Sequence, residues 1–296
     1  MPPKRKQPAD TAASSKRFRS AIDDSLEEFL CPITYELPLE PVLAEDGKVY
    51  ERSAIETWLK DKPRSPTTNV PMGTKLTPAT QIKNMIERMV KSDALPEDKA
   101  AAWKKRIAKQ EQEEVAEVRR AAEGGDAEAA YKLGKWFENA TMGLGKDEAK
   151  AIVLYLQAAK AGHPRATGKL ANCYKYGKGT TSSEPLALRW AAAGVALGCG
   201  IAMSVLGNLY ANGRAGLPLD HEEGLRLRVA AAERGCLNTK GLFRLGLMFA
   251  NGDGTPVDMD KAAEWMRKAV LNNWPPESEQ QARDWLTARQ LEVDLD

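Results

Sequence analysis

Only four cysteines and two histidines occur in the 296 residues, and no two cysteines form a CxxC pair. Between Ser25 and Val90 there is one cysteine, Cys31, and no histidine. A structural zinc site needs a full tetrahedral set of such ligands, so zinc is excluded from this stretch. Scattered single cysteines suit reduced thiols, as in a cytosolic or nuclear protein. The sequence also lacks a Ser/His/Asp set, a phosphate-cradling glycine loop and an HExxH motif, and no cofactor is expected. Residues 1–20 lack an apolar core, so no signal peptide is expected. One uncharged stretch, Trp190 to Gly213, has membrane length. It is built largely of Ala and Gly and keeps the repeat register described below, so two core helices and their turn are expected there instead. No membrane association is expected.

Charge is scarce as a net quantity but uneven in placement. Residues 1–20 hold six basic residues and one acidic, net +5, whereas the remaining 276 hold 37 and 40, net −3. The rest of the chain is therefore nearly neutral, and specific nucleic-acid binding is not expected. Residues 1–24, rich in Pro, Ala, Ser, Lys and Arg, are expected to be a disordered basic tail. Within it, Lys4 and Arg5, then ten residues, then Lys16, Arg17 and Arg19 form a two-part basic pattern like a nuclear localisation signal. Nucleus, cytoplasm or both is the expected location.

The stretch from Phe29 to Val90 has its own logic. Val42-Leu43 and Val49-Tyr50 flank Asp46-Gly47, a pair suited to a tight hairpin turn. Ser53-x-x-Glu56 has capping-box form, and Ile55, Trp58 and Leu59 then share a helical face. A second helix is expected after Pro78, burying Ile82, Met85, Ile86, Met89 and Val90. Proline-rich loops, Cys31 to Pro41 and Pro63 to Pro71, bracket the hairpin and first helix.

These residues carry a resemblance. Cys31-Pro32-Ile33, Asp46-Gly47, Tyr50-Glu51-Arg52, Ile55, Trp58-Leu59 and Ser65-Pro66-Thr67-Thr68-Asn69 look like a U-box, a domain by which one class of ubiquitin ligases recruits a ubiquitin-conjugating enzyme. The resemblance implies a RING-like α+β shape whose loops are held by hydrogen bonds and ion pairs instead of zinc. It implies a ligase that holds the conjugating enzyme's ubiquitin thioester in a reactive arrangement, with no covalent ligase–ubiquitin intermediate. Cys31 suits this, sitting in an apolar run with no Lys or His within ten residues. By position in the pattern, Ile33, Tyr35, Trp58 and Pro66 would dock the conjugating enzyme. Where many active RING and U-box ligases carry a clamping cation, this chain has Asn69, which donates hydrogen bonds but lacks a charge. A non-catalytic U-box scaffold or adaptor is therefore the alternative. Many U-boxes pair, which makes a homodimer one expected form.

From Asp126 the chain repeats itself. Leu133, Leu170, Leu206 and Leu245 recur every 36 to 39 residues, each followed four later by Phe137, Tyr174, Tyr210 or Phe249. Ala129, Ala166, Ala202 and Gly241 precede each Leu by four, and Gly177, Gly213 and Gly252 follow three of the aromatics. The second helices read Ala151/Leu154/Ala158/Gly162, Ala187/Trp190/Gly194/Gly198, Gly224/Leu227/Ala231/Gly235 and Ala262/Trp265/Ala269/Asn273. Helix pairs that cannot bury a face alone must stack, so an all-α solenoid is expected. The pattern is similar to Sel-one-like repeats, relatives of tetratricopeptide repeats. The first unit has Ala140 where the others have Gly.

The expected organisation is thus multidomain: tail 1–24, U-box 25–92, charged linker helix 93–125, four repeats 126–274 and a capping helix 275–296 carrying Trp285 and Leu286. The linker's last turns, ending at Gly125, are expected to dock on the repeats. His163, Cys199 and Cys236 occupy one position in successive units and are expected as turn residues, not metal ligands. The first helices present stripes led by Lys132, Lys135, Lys169, Asn172, Asn208 and Arg244, without a carboxylate. That composition suits an acidic peptide or a free C-terminal carboxylate on a protein substrate or chaperone. Ubiquitin and its conjugating enzyme are the remaining expected partners.

Overall fold

The computed structural model describes residues 27–272, 276–289 and 291. Lys4, Arg5, Lys16, Arg17 and Arg19 lie outside them. Two compact units divide between Glu111 and Gln112.

In the first unit, β1 (Pro41–Leu43) pairs antiparallel with β2 (Val49–Glu51), with Val42 opposite Tyr50. The expected turn is there, Gly47 at φ +74° and Ala44 N–H donating to the Lys48 carbonyl at 3.0 Å. A short third strand, β3 (Thr77–Pro78), pairs with the other edge of β1. It has no sequence signal, being two residues long and exposed. Helix α1 (Arg52–Asp61) follows β2 without a loop. The capping box does not form: Glu51 occupies the cap position, its carboxylate is used elsewhere, and Ser53 lies inside the helix. The Arg52 N–H is satisfied by the Glu40 carbonyl instead. Helix α2 (Thr80–Lys91) buries Ile86 and Val90 and leaves Met85 45% exposed, so its buried stripe is narrower than expected.

Two small cores result. One gathers Cys31, Val42, Ala44, Tyr50, Ile55, Leu59 and Met72 beneath the hairpin. The other joins Leu37, Ile86, Val90 and Leu95 to Ala100 and Trp103 of α3 (Glu97–Glu123). Later turns of α3 place Val118 and Ala122 in the core of the second unit, where the Gln157 amide donates to the Ala122 carbonyl at 2.5 Å.

The second unit is helical. Its pairs are α4 (Ala127–Asn139) with α5 (Glu148–Lys160), α6 (Pro164–Tyr176) with α7 (Glu184–Ala196), α8 (Gly200–Tyr210) with α9 (His221–Glu233), and α10 (Thr239–Asn251) with α11 (Met259–Leu271). α12 (Pro276–Thr287) packs on the last pair, burying Ala282 and Leu286. The uncharged stretch forms α7's end, a turn and α8; no helix among the described residues is long and apolar enough to cross a membrane. Asp147, Ser183, Asp220 and Asp258 cap the second helices, each accepting from the N–H three residues on. Ala140 takes the left-handed conformation, φ +53°, that Gly177 takes at +69°. The repeat turn therefore survives without its glycine, at a cost of about 1 kcal/mol.

Candidate functional site

The residues expected to dock a partner lie on the two proline-rich loops and α1. Tyr35 is 75% exposed and sits at φ +57°, a conformation that bulky side chains rarely adopt. Its N–H donates to the Cys31 carbonyl at 2.8 Å, and Cys31 N–H to the Glu36 carbonyl at 2.9 Å, so the loop closes on itself beneath the ring. Backbone strain of this kind costs about 1–3 kcal/mol and persists where surrounding bonds over-determine it. Ile33 and Trp58 are half-buried against the hairpin core. The Trp58 indole N–H donates to the Arg64 carbonyl at 2.9 Å, tying α1 to the second loop, and the Lys62 ammonium lies 5.0 Å from its ring. Pro66 is half-buried, and Val70, which the sequence did not single out, is 58% exposed. Asn69 is exposed at φ +57°, and Arg64 donates to its carbonyl at 3.2 Å.

Two carboxylates hold these loops. Asp46 Oδ2 accepts from the Ser65 hydroxyl at 2.5 Å and the Tyr50 phenol at 2.8 Å, while Oδ1 accepts from Lys48 N–H at 3.1 Å. Ser65 Oγ in turn accepts from the N–H groups of Thr67 and Thr68. Burial pushes the Asp46 pKa up, but bonds from Ser65, Tyr50, Lys48 and Thr67 outweigh it and hold the group below the ordinary carboxylate range. Burial pushes Tyr50 up to about 12; the Asp46 carboxylate adds to this and the Thr67 bond partly offsets it. Glu51, 7% exposed, accepts from Leu39 N–H at 2.6 Å and Glu40 N–H at 3.2 Å. Arg106 of α3 joins it, donating to the Leu37 carbonyl at 2.9 Å and lying 3.0 Å from Glu36 and 3.5 Å from Glu51. Hydrogen bonds and ion pairs thus brace both loops, and no cluster of metal ligands occurs among the described residues. A chelator should accordingly leave the thermal unfolding of the full chain unchanged. A midpoint lowered by EDTA, or stoichiometric zinc by elemental analysis, would contradict this bracing.

The repeats bring only part of the expected stripe together. Lys169, Asn172, Asn208 and Arg244 line a cavity of about 600 Å³, whereas Lys132 and Lys135 do not. Lys132 pairs with Glu114 at 2.7 Å and covers the Trp136 ring. Lys169 pairs with Glu138 at 2.6 Å, and Tyr155 donates to the same carboxylate at 2.6 Å. Burial raises the Glu138 pKa, but the Lys169 and Tyr155 bonds bring it below its ordinary value. The stripe itself holds no carboxylate, but acids from outside it pair with two of its lysines. Glu114 and Glu138 neutralise two of its cations, because the solenoid brings acids from 18 and 31 residues away against them. Lys175 and Arg228, unremarked in the sequence, also line the cavity.

The three turn positions behave as packing residues. His163 caps α6, accepting from Ala166 N–H at 3.1 Å, and stacks on Tyr131 with centroids 4.5 Å apart. Cys199 and Cys236 lie against Gly168 and Gly200, where an added Cβ would come within 2.7 and 2.6 Å of sulfur.

Residues 26–94 match the U-box domain family, and residues 127–163, 164–199, 200–236 and 239–273 each match the Sel1 repeat. The WD repeat, SAM and U-box domain-containing protein 1 of Danio rerio is 53% identical over 64 residues, covering 21% of this chain and 13% of that protein. A probable bifunctional E2/E3 enzyme of Acanthamoeba polyphaga mimivirus is 41% identical over 63 residues, 21% of this chain and 5% of that protein. The chain thus spans a small part of these curated relatives. Among solved structures, a Sel1 repeat protein from Oxalobacter formigenes superposes with a TM-score of 0.50 at 25% identity, covering 60% of this chain and 68% of that one.

Proposed function

We propose that this chain, which joins a U-box domain to four Sel1 repeats, is a ubiquitin-protein ligase. In this reading the U-box recruits a ubiquitin-charged conjugating enzyme and the repeats hold a protein substrate. The supporting observation is a strained, exposed Tyr35 near half-buried Ile33 and Trp58, on loops braced from beneath by Asp46 and Glu51. A side chain kept exposed in an unfavourable backbone conformation suits a binding role better than a packing one. Rigid loops suit a reaction whose rate comes from holding a thioester and an amine in register. The basic tail would direct the chain to the nucleus.

An autoubiquitination assay with a panel of conjugating enzymes tests the reading. Tyr35→Gly is expected to raise thermal stability, since it relieves about 1 kcal/mol of left-handed strain, yet to abolish chain formation. Ile33→Ala and Pro66→Ala should also abolish chain formation while the folded signal persists. Should Tyr35→Gly and Ile33→Ala both retain wild-type activity, the docking face lies elsewhere.

Asn69 favours a second reading, a scaffold whose U-box binds without activating. Its left-handed backbone is one that asparagine tolerates well, and it brings no charge. Asn69→Arg should raise the rate of ubiquitin transfer at a stability cost of about 1 kcal/mol. A wild-type chain inactive with every conjugating enzyme, yet still binding one of them, would establish the scaffold.

A further inference from the structure

We infer that the cavity spanning the first to fourth repeats binds a doubly charged phosphoryl group carried on a peptide segment of the protein partner. This deepens the proposed function and rests on its assignment of substrate holding to the repeats. Lysine and arginine dominate the charged lining of this cavity of about 600 Å³, and Glu138 is its single acidic residue among the described residues. Glu138 is already occupied by Lys169 and Tyr155. Lys175 and Arg244 line the same space without an ion pair among the described residues.

Arg228 on α9 carries the argument. It is 8% exposed, lines the cavity and has no carboxylate partner among the described residues. Its Nη1 reaches only the Met248 sulfur, at 3.8 Å, and its Nε has no hydrogen-bond partner. A buried charge left unpaired is costly, and hydrophobic residues of similar volume commonly replace such groups without loss. Here two further cations face it instead. Burial and the nearby Arg228, Arg214 and Arg244 bring Lys175 down to about 8; Arg214 itself is paired with Glu184. Like charges gathered in a concave, partly dry space describe a site waiting for an anion.

The size of the charge selects the ligand. One carboxylate supplies a single negative charge for Lys175, Arg228 and Arg244. A phosphate monoester carries roughly −1.5 to −2 and three strong acceptor oxygens, which suits three converging cations. Asn172 on α6 and Asn208 on α8 lie at equivalent repeat positions on the same cavity wall. Their amides both donate and accept, as the main chain flanking a phosphorylated residue requires. A nucleic acid would need successive aromatic platforms, and Tyr176 is the one aromatic residue in the lining.

The test titrates the full chain calorimetrically with a capped peptide, Ala-Gly-phosphoserine-Gly-Ala, and with its serine and glutamate counterparts. Inorganic phosphate and a single-stranded RNA oligonucleotide are separate arms. The phosphopeptide is expected to bind at least about tenfold more tightly than either counterpart. Arg228→Met and Arg244→Gln should each weaken it at least about tenfold. Arg228→Met should also keep or raise the melting temperature, which loss of a merely structural arginine would not do. If Arg228→Met fails to fold, the exposed Arg244→Gln decides. Equal affinity for the three peptides, or undiminished phosphopeptide binding by both variants, overturns the inference. Inorganic phosphate bound as tightly as the phosphopeptide, or RNA bound more tightly, overturns the peptide assignment. Autoubiquitination by the wild-type chain, measured in parallel, decides the ligase reading separately.

Discussion

Asp46→Ala should unfold the U-box at temperatures where the repeats remain folded, and ubiquitin transfer should be lost with it. The substitution removes the acceptor shared by Ser65 Oγ, Tyr50 Oη and Lys48 N–H. Tyr50 is fully buried and Ser65 is 2% exposed, so water cannot readily replace that acceptor. Leaving unsatisfied the buried donors that the Asp46 carboxylate had accepted from costs about 3 kcal/mol. That is a large fraction of the roughly 5–15 kcal/mol that stabilises a domain. Asp46→Asn keeps the shape and one acceptor oxygen and should lose about 1 kcal/mol. Two calorimetric transitions, of which only one moves in Asp46→Ala, are the expected record. The same cluster sets a pH window. The lowered Asp46 pKa gives stability that is present above its unfolded value of about 3.9 and is lost as pH falls through the folded value. Tyr50, raised to about 12, gives stability that is complete below its unfolded value of about 10 and is lost as pH rises toward the folded one. An acid midpoint unmoved by Asp46→Asn would refute the acid half of this account.

Gly207→Val is expected to be severely damaging to the repeats. A Cβ there would lie 2.9 Å from the Gly224 carbonyl oxygen, 3.1 Å from Leu227 Cβ and 3.2 Å from Arg228 Cγ. The nearest atom is backbone, so relief requires α8 and α9 to move apart, exposing the Leu206, Leu209 and Leu227 core. Overpacking at such a site costs about 3 kcal/mol or more. Urea unfolding should show the repeat transition at lower denaturant and the U-box transition in place. A loss below about 0.5 kcal/mol would mean that the helix pair tolerates the wider spacing.

The repeats were legible because their signal is periodic and local. A leucine every 36 to 39 residues, with small residues at fixed steps from it, leaves helix pairs few ways to stack. The hairpin was legible because Asp46-Gly47 demands one turn geometry. Boundaries and partners were less so. Ser53 and Glu56 carry the capping pattern, but β2 runs straight into α1 and puts Glu51 at the cap. Met85 has the right spacing for burial, yet it is 45% exposed. Apart from the local Tyr50 and Lys48 bonds to Asp46, the Asp46 and Glu51 braces join residues 11 to 55 apart, for which no window of sequence holds a signal.

The sequence by itself therefore determined the two kinds of architecture and how few possible zinc ligands the first stretch holds. Each follows from spacing or from counting, which need no coordinates. Only the tertiary structure decided which charges are free. Lys132 and Lys169 read as open cations and are paired; Arg228 reads as an ordinary helical arginine and is buried without a carboxylate partner among the described residues. The reason is physical: a charge's environment is set by groups within a few ångströms in space, and folding brings those from anywhere along the chain.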